Sequence, residues 1–277
     1  MSAAGGFDYE AARWGEETIH PGEHSIAGFR LAEALRFLPS RGRVLEVGCG
    51  GGRFLRAVAA ARPELALTGV DVSRSALAAL ARLAPAIETR VATQAALPAR
   101  DAEFDAVLLL DVLEHVDDPA GMLAEIRRVL VPGGVLHAHV PCEGDPRSPW
   151  RWLPGQRGAG AWKRRFGGHV QRFRRRELLA QMDAAGFEIL RERGSLHLLG
   201  AIADVGAFAA LAFAARRGGP GATTGQILAS ARAPGRSLSA RLAAALVRGV
   251  DALLWAEATL IGRVPSWAIH VSARKRA

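Results

Sequence analysis

The sequence has little that would point to a secreted, zinc-binding or membrane-spanning protein. It has two cysteines in 277 residues, too few for a disulfide framework, and no Cys/His set has zinc-site spacing. The first ten residues carry neither a basic start nor an apolar stretch, so we expect no secretory signal. The stretch from Leu196 to Ala215 is almost wholly apolar, but His197 and Asp204 interrupt it. We therefore expect a cytoplasmic protein.

Lysine is also nearly absent, so arginine carries most of the net charge of +9. Between Arg147 and Arg176 there are ten Lys or Arg residues and no Asp or Glu. Trp150, Trp152, Trp162, Phe166 and Phe173 are interleaved with them. This pattern favours a lid that attracts an anionic ligand or a membrane surface, although a solvated basic loop with a few packed tryptophans is the alternative. No recognised RNA-binding module is evident, so we expect no nucleic-acid partner.

A glycine-rich turn is the most informative feature that is present. Residues 43 to 60 read RVLEVGCGGGRFLRAVAA, a short β-branched run followed by apolar residues at helical spacing. Glycines at such a strand-to-helix turn let a ligand approach the backbone N–H groups that open the helix. Arg53 stands where a dinucleotide fingerprint has its third glycine, which disfavours a nicotinamide cofactor.

Polar residues end the next two apolar runs. Asp71 follows the run from Leu67 to Val70, about twenty residues past the glycine turn, where a carboxylate can accept hydrogen bonds from a ribose. The run from Phe104 to Leu110 leads into Asp111-Val112-Leu113-Glu114-His115. Because ligands of open α/β sheets lie outside the carboxyl ends of the strands, these residues predict a ligand site.

Four motifs in order give the chain its resemblance to the class I S-adenosylmethionine-dependent methyltransferases. They are LEVGCGGG at 45 to 52, GVDVS at 69 to 73, FDAVLLLDVLEHVDDP at 104 to 119 and EIRRVLVPGGVL at 125 to 136. The likeness spans about residues 43 to 193 and is to the small-molecule group that includes quinone and lipid-precursor enzymes. It implies S-adenosylmethionine as cofactor and a Rossmann-like, mostly parallel seven-stranded sheet with an antiparallel last strand and helices on both faces.

The resemblance also assigns cofactor-binding residues. Glu46, Gly48, Gly50 and Gly52 are expected at the methionine moiety and Asp71 at the ribose, with Cys49 and Val72 as further cofactor-binding residues. Thr93 and Gln94 stand where many relatives have an acidic residue near the adenine, and Asp111 and Val112 complete the set.

His115 and His169 are the candidate catalytic bases, since imidazole titrates near neutral pH. Each histidine also has a structural alternative to a catalytic role. His115 would orient its loop through the pair with Glu114, and His169 would be packed or bonded to the backbone. The spacing of Asp111, Glu114 and His115 alone does not support a metal site, so we expect no metal. In the resembling group the N-terminal segment folds over the cofactor, so Tyr9, Trp14 and His20 are further candidates for the site. Ordinary packing is the favoured alternative for all three.

The expected organisation is an N-terminal helical cover at 1 to 40, a core at 41 to 194 and 265 to 277 with a basic lid at 143 to 170, and a helical insertion at 195 to 264. The function implied is methyl transfer to a small-molecule or lipid-linked acceptor, anionic or amphiphilic, with peripheral membrane contact through the lid and the insertion. The alternatives are a catalytically inactive cofactor-binding partner subunit and, less favoured, a nicotinamide-dependent oxidoreductase.

Overall fold

The computed structural model of the protein describes residues 8–10, 15–93, 96–153, 161–216 and 238–276. Seven strands form one sheet in the order β3-β2-β1-β4-β5-β7-β6. The strands are β1 Gly42–Val47, β2 Leu65–Asp71, β3 Glu88–Val91, β4 Phe104–Leu110, β5 Leu130–Pro141, β6 Phe187–Leu196 and β7 Ala268–Lys275. Strand β7 runs antiparallel to both of its neighbours, and the pairings among β1 to β5 are parallel.

The central strands are apolar on both faces because helices cover both sides of the sheet. Val107, Leu108 and Leu109 of β4 are completely buried, as expected for a parallel strand inside two layers. Each such side chain contributes about 2 kcal/mol of transfer free energy. One layer of the core involves α4 and α6, and the other α1 to α3. The helices are α1 Ile26–Leu35, α2 Arg53–Ala61, α3 Arg74–Leu83, α4 Pro119–Val129, α5 Pro149–Trp152, α6 Arg175–Ala184, α7 Leu198–Arg216 and α8 Leu238–Ile261.

Local sequence sets where several helices begin. Ser25, Ser73 and Asp118 each accept a hydrogen bond from the backbone N–H three residues ahead, and Pro119 follows at the first position of α4. Gly52 precedes α2 with φ of +77°, a conformation that favours glycine. The polar turns that start these helices thus lie at the edge where the parallel strands end.

Two long helices, α7 and α8, lie between β6 and β7 in the chain. They contact each other, and α8 also packs against α1 and β6. Within the described residues, no helix combines the length and apolarity needed to cross a bilayer. The expected seven-stranded mixed sheet is confirmed, including the antiparallel last strand that returns after these helices. The division of the chain into cover, core and insertion stays a prediction.

Candidate functional site

The carboxyl ends of the parallel strands open into one cavity of about 580 Å³. Glu46, Asp71, Asp111 and His139, from β1, β2, β4 and β5 or directly after them, line its floor. Its far side is formed by α7 and α8, which add mainly apolar side chains and Asp204 and Asp251. The sheet edge and the helical layer therefore enclose a common site.

The glycine turn after β1 has the shape that the sequence predicts. Gly48 has φ of +69°, and a Cβ there would lie 2.5 Å from Val112 Cγ2. A Cβ on Gly52 would lie 2.3 Å from Leu80 Cδ1, so this glycine lets the start of α2 approach Leu80 of α3 and does not line the cavity. Gly48, Cys49 and Gly50 do line it. Different glycines therefore line the cavity and shape the turn behind it.

Glu46 supplies a buried carboxylate with an unused acceptor. It is 2% exposed, and its Oε2 has no hydrogen-bonding partner among the described residues. Burial raises the pKa of Glu46 to about 8, against the opposing effect of the nearby Arg53 guanidinium. An unpartnered buried acceptor at the cavity is what a ligand ammonium group would satisfy.

Asp71 holds the glycine turn as well as facing the cavity. Its Oδ2 accepts a hydrogen bond of 2.7 Å from the Gly50 N–H, and its Oδ1 accepts one of 2.9 Å from the Ser73 N–H. Burial raises the pKa of Asp71, while these two N–H groups oppose the rise. Val72 and Thr93 also line the cavity, whereas Gln94 lies outside the described residues.

Asp111 sits in an uncommon backbone conformation and anchors a partly buried network. Its φ is +57°, in the left-handed region that few non-glycine residues adopt. One carboxylate oxygen pairs with Arg30 of α1, and the other lies 2.6 Å from His139 Nδ1. Burial opposes ionisation of Asp111, but Arg30 and His139 outweigh it and hold its pKa well below the usual range. Val112, the next residue, also lines the cavity.

The structure brings His115 and His169 together beside Glu114. The two imidazole centroids are 4.8 Å apart, and His115 Nε2 lies 3.9 Å from Glu114 Oε1. Burial, together with the neighbouring His169 ring, lowers the pKa of His115 to about 3, so this imidazole is neutral. Burial and the Asp111 charge raise the pKa of Glu114 well above its usual range.

Backbone hydrogen bonds explain how distant parts of the chain meet here. The N–H groups of Val170 and Gln171 both donate to the Glu114 carbonyl, each at 2.9 Å. The Gln171 side-chain amide donates to the Val116 carbonyl at 3.0 Å. These bonds fix the segment that carries His169 against the turn after β4.

Part of the basic segment forms a wall of the site rather than a solvated loop. Lys163 is buried, and its Nζ lies 2.9 Å from Asp204 of α7 and 3.6 Å from Glu143. Burial opposes the charge on Lys163, but the two carboxylates raise its pKa. The same Nζ lies over the rings of Trp150, Phe208 and Trp267. Arg151, Arg164, Arg165 and Trp152 are exposed.

Of the N-terminal candidates, Tyr9 reaches the site. Its hydroxyl lies 3.3 Å from His115 Nδ1, and Tyr9 lines the cavity. His20 is exposed and does not line it, and Trp14 lies outside the described residues. A Cβ on Gly15 would lie 3.1 Å from Gly51 N, so the residues before α1 pack directly on the glycine turn.

Sequence reasoning missed three residues of this site. Arg30 lies in a helical pattern, Glu143 in a loop after a strand, and Lys163 in a run of basic residues. None of these patterns indicates that the side chain is buried at the site. The proximity of Glu143 and His169, at 2.7 Å between Oε1 and Nδ1, depends on the folded path of the segment after β5.

Curated relatives match about half of the chain. The ubiquinone biosynthesis O-methyltransferase of Alkalilimnicola ehrlichii is 38% identical over 159 residues, 53% of this chain and 60% of that protein. The protein of the same name from Paracidovorax citrulli is 37% identical over 136 residues, 46% of this chain and 56% of that one. The matches thus span three fifths or less of these relatives' own length.

Solved structures share the fold over nearly the whole chain. The [4+2]-cyclase SpnF aligns with a TM-score of 0.58 and 24% identity, covering 99% of this chain and 90% of that one. A geranyl diphosphate methyltransferase in complex with GPP and sinefungin aligns with a TM-score of 0.55 and 15% identity, covering 90% of this chain and 76% of that one. A family model described as a methyltransferase domain matches residues 23–192. The chain therefore belongs to the methyltransferase domain family, as a class I S-adenosylmethionine-dependent member.

Proposed function

We propose that this protein transfers a methyl group from S-adenosylmethionine to a hydroxyl oxygen of a small-molecule or lipid-linked acceptor. The observation that carries the proposal is the single cavity that joins the glycine turn and Asp71 to His115 and His169. All of these residues lie within the stretch that matches the methyltransferase domain, 23–192. The likeness to proteins named O-methyltransferases favours oxygen over nitrogen or carbon as the atom methylated.

The donor half of the cavity fits the cofactor of this class. When bound, S-adenosylmethionine supplies an electrophilic methyl group on a sulfonium. The free Oε2 of Glu46 suits the amino group of its methionine part, and Asp71 lies where a ribose would place its hydroxyls. The open backbone at Gly48 and Gly50 admits the ligand. These residues hold the donor in line with an acceptor, which is the main requirement of a displacement at a methyl carbon.

The histidine pair lies where the acceptor hydroxyl would be deprotonated. Glu143 accepts a hydrogen bond from His169 Nδ1 at 2.7 Å, which fixes the ring and leaves Nε2 as the second functional atom. Burial opposes ionisation of Glu143, but His169 and Lys163 outweigh it and lower its pKa. A hydroxyl is a poor nucleophile until its proton is lost, so His169, held by Glu143, is expected to raise the rate about 10²-fold or more as the base. His115, whose pKa burial lowers to about 3, is the weaker proton acceptor of the pair.

The far half of the cavity favours an acceptor with an apolar part. Between α7 and α8 the lining includes Ala203, Ala207, Val247 and Leu254. Burying an alkyl chain there would contribute about 0.8 kcal/mol per methylene. The buried Lys163 also lines the cavity, but Glu143 and Asp204 offset its charge, so the apolar lining is what favours this acceptor.

The outer faces of the same helices support peripheral contact with a membrane. Leu198 of α7 is 71% exposed, and Leu253 and Leu260 of α8 are 59% and 82% exposed. The exposed arginines of the basic segment add positive charge, which anionic lipids would attract. An amphiphilic acceptor could then pass from the lipid surface into the cavity between the helices.

The experiment is a transfer assay with methyl-labelled S-adenosylmethionine and a series of phenols bearing alkyl chains of increasing length. The methyl ethers of the same phenols are matched controls, since they lack the free hydroxyl. We expect label in the product from the phenols alone, with kcat/KM rising with chain length. In His169→Asn the loss should fall on kcat more than on KM. Label transfer to alkylamines and to none of the phenols would contradict the choice of oxygen.

A further inference from the structure

A chain of buried charged groups joins the candidate base to helix α7. His169 Nδ1 donates to Glu143 Oε1 at 2.7 Å, and the same oxygen lies 3.6 Å from Lys163 Nζ. Glu143 and Lys163 are 2% and 6% exposed, so water screens these charges little. Two donors, the imidazole and the ammonium, are therefore in reach of one carboxylate oxygen.

The distances show that Asp204 of α7 takes the ammonium away from this oxygen. Lys163 Nζ lies 2.9 Å from Asp204 Oδ2 and 3.2 Å from Oδ1, which are hydrogen-bonding distances, whereas 3.6 Å to Glu143 is not. Trp150 Nε1 donates to Asp204 Oδ2 at 2.7 Å and fixes the carboxylate in this place. Glu143 is thus left to bond His169.

We propose that Asp204 is a positioning residue for methyl transfer, because it holds the Lys163 ammonium off Glu143 and so leaves that carboxylate to orient His169. The inference deepens the proposed function and rests on it, since His169 is the base of that reaction. It assigns a role to the helical layer between β6 and β7 that goes beyond lining the cavity.

Loss of the Asp204 charge alone should damage the base. The rings of Trp150, Phe208 and Trp267 lie around Lys163 Nζ, and they stabilise a cation without supplying a counter-charge. A buried charge without its partner is costly, so the ammonium would move to Glu143, its other ion-pair partner among the described residues. There it would compete with His169 Nδ1–H for Oε1, and its charge would disfavour the imidazolium that forms when His169 takes a proton.

The helix that carries Asp204 also receives the acceptor. Ala203 and Ala207, on either side of it in α7, line the apolar half of the cavity. The backbone N–H of His169 donates to the Lys163 carbonyl at 3.3 Å, so the lysine and the base belong to one turn. The ion pair could serve by anchoring this turn or by keeping the ammonium off Glu143. The two roles differ in what happens when Lys163 is removed as well.

The test compares one single and one double substitution. Asp204→Asn removes the charge but keeps an oxygen that can accept from Trp150 Nε1, and Lys163→Met in the same chain removes the ammonium and leaves an apolar side chain among the three rings. Replacing both members of a buried ion pair is often tolerated, whereas removing one is costly. Asp183→Asn, which breaks an exposed ion pair between α6 and Arg276, is the matched control.

Kinetics with the alkyl phenols of the transfer assay give the first readout. In Asp204→Asn we expect kcat to fall about tenfold, part of the roughly 10²-fold that a base contributes, with a smaller change in KM. The double variant should recover most of this loss, and Asp183→Asn should match the wild type. An unchanged kcat in Asp204→Asn would overturn the inference. So would a double variant as impaired as the single one, since the pair would then only anchor the turn.

The proton on His169 Nδ1 gives a second readout that needs no activity. Bonded to a carboxylate, it should give a far-downfield resonance in the proton NMR spectrum, assigned by its shift in Glu143→Gln. The resonance should move upfield in Asp204→Asn and return in the double variant, while binding of S-adenosylhomocysteine shows that each variant is folded. Methyl transfer with a resonance that does not move would overturn the inference and leave the proposed function standing. A resonance that moves and returns in a protein that methylates no phenol would support the contact and refute the proposed function.

Discussion

Glu46 gives the most specific expectation at the scale of single residues. Its pKa of about 8 in the unliganded protein means that the carboxyl is mostly protonated at pH 7. An ammonium group needs the carboxylate, so binding of S-adenosylmethionine at pH 7 should release nearly one proton, and affinity should rise as the pH approaches 8. Calorimetric titrations in buffers of different ionisation enthalpy measure that proton directly.

Glu46→Gln supplies the control for this prediction, because the amide cannot ionise. This variant should bind S-adenosylmethionine more weakly. Its binding enthalpy should show no dependence on the buffer from ionisation at residue 46. An enthalpy that is the same in every buffer for the wild-type protein would contradict the prediction, because Glu46 would then lose no proton when the ligand binds.

Single residues also mark the limit of what the sequence predicts. Glu46, Asp71 and Asp111 could be placed at the sheet edge because each ends or follows an apolar run whose period identifies a strand. The pairing of His169 with Glu143 could not, because it depends on tertiary hydrogen bonds to the Glu114 carbonyl. Side-chain clusters made by segments far apart in the chain leave no periodic signal.

At the scale of elements, the close approach of the start of α2 to Leu80 of α3 depends on the absence of a side chain at Gly52. Gly52→Ala is expected to lower the free energy of unfolding by about 2 to 4 kcal/mol, since strain at positive φ adds to a clash with Leu80. Gly133→Ala is the matched control, because Gly133 has φ of +75° and a Cβ added there would meet nothing within 4 Å. It should cost about 1 kcal/mol.

Chemical denaturation measures the free energy of unfolding of both variants. The difference between their losses isolates the steric clash with Leu80 from the backbone strain at positive φ. Equal losses in the two variants would mean that the contact between Gly52 and Leu80 does not limit the helix packing. The strands and long helices could be predicted from their hydrophobic period, whereas the short helix α5 and the single helical turn at Lys163–Gly167 could not. Their shape is set by burial of Trp150 and Lys163 against α7.

At the scale of the whole molecule, the exposed apolar side chains of α7 and α8 and the net charge of +9 predict binding to anionic vesicles at low salt. Co-sedimentation should retain the protein on such vesicles and release much of it as ionic strength rises. Neutral vesicles are the control for the charge, and Leu253→Ser with Leu260→Ser is the control for the apolar face. Failure of anionic vesicles to retain the protein would remove the membrane proposal without affecting methyl transfer.

The central claim is that the edge of the sheet binds S-adenosylmethionine through the glycine turn and Asp71. The most direct measurement is calorimetric titration of the protein and of Asp71→Ala with S-adenosylmethionine and S-adenosylhomocysteine, with NAD as the control ligand. Micromolar binding of both sulfur ligands, weakened by the substitution in a variant whose melting temperature shows it folded, is the predicted result. No binding of either sulfur ligand, or binding of NAD in their place, would contradict the account.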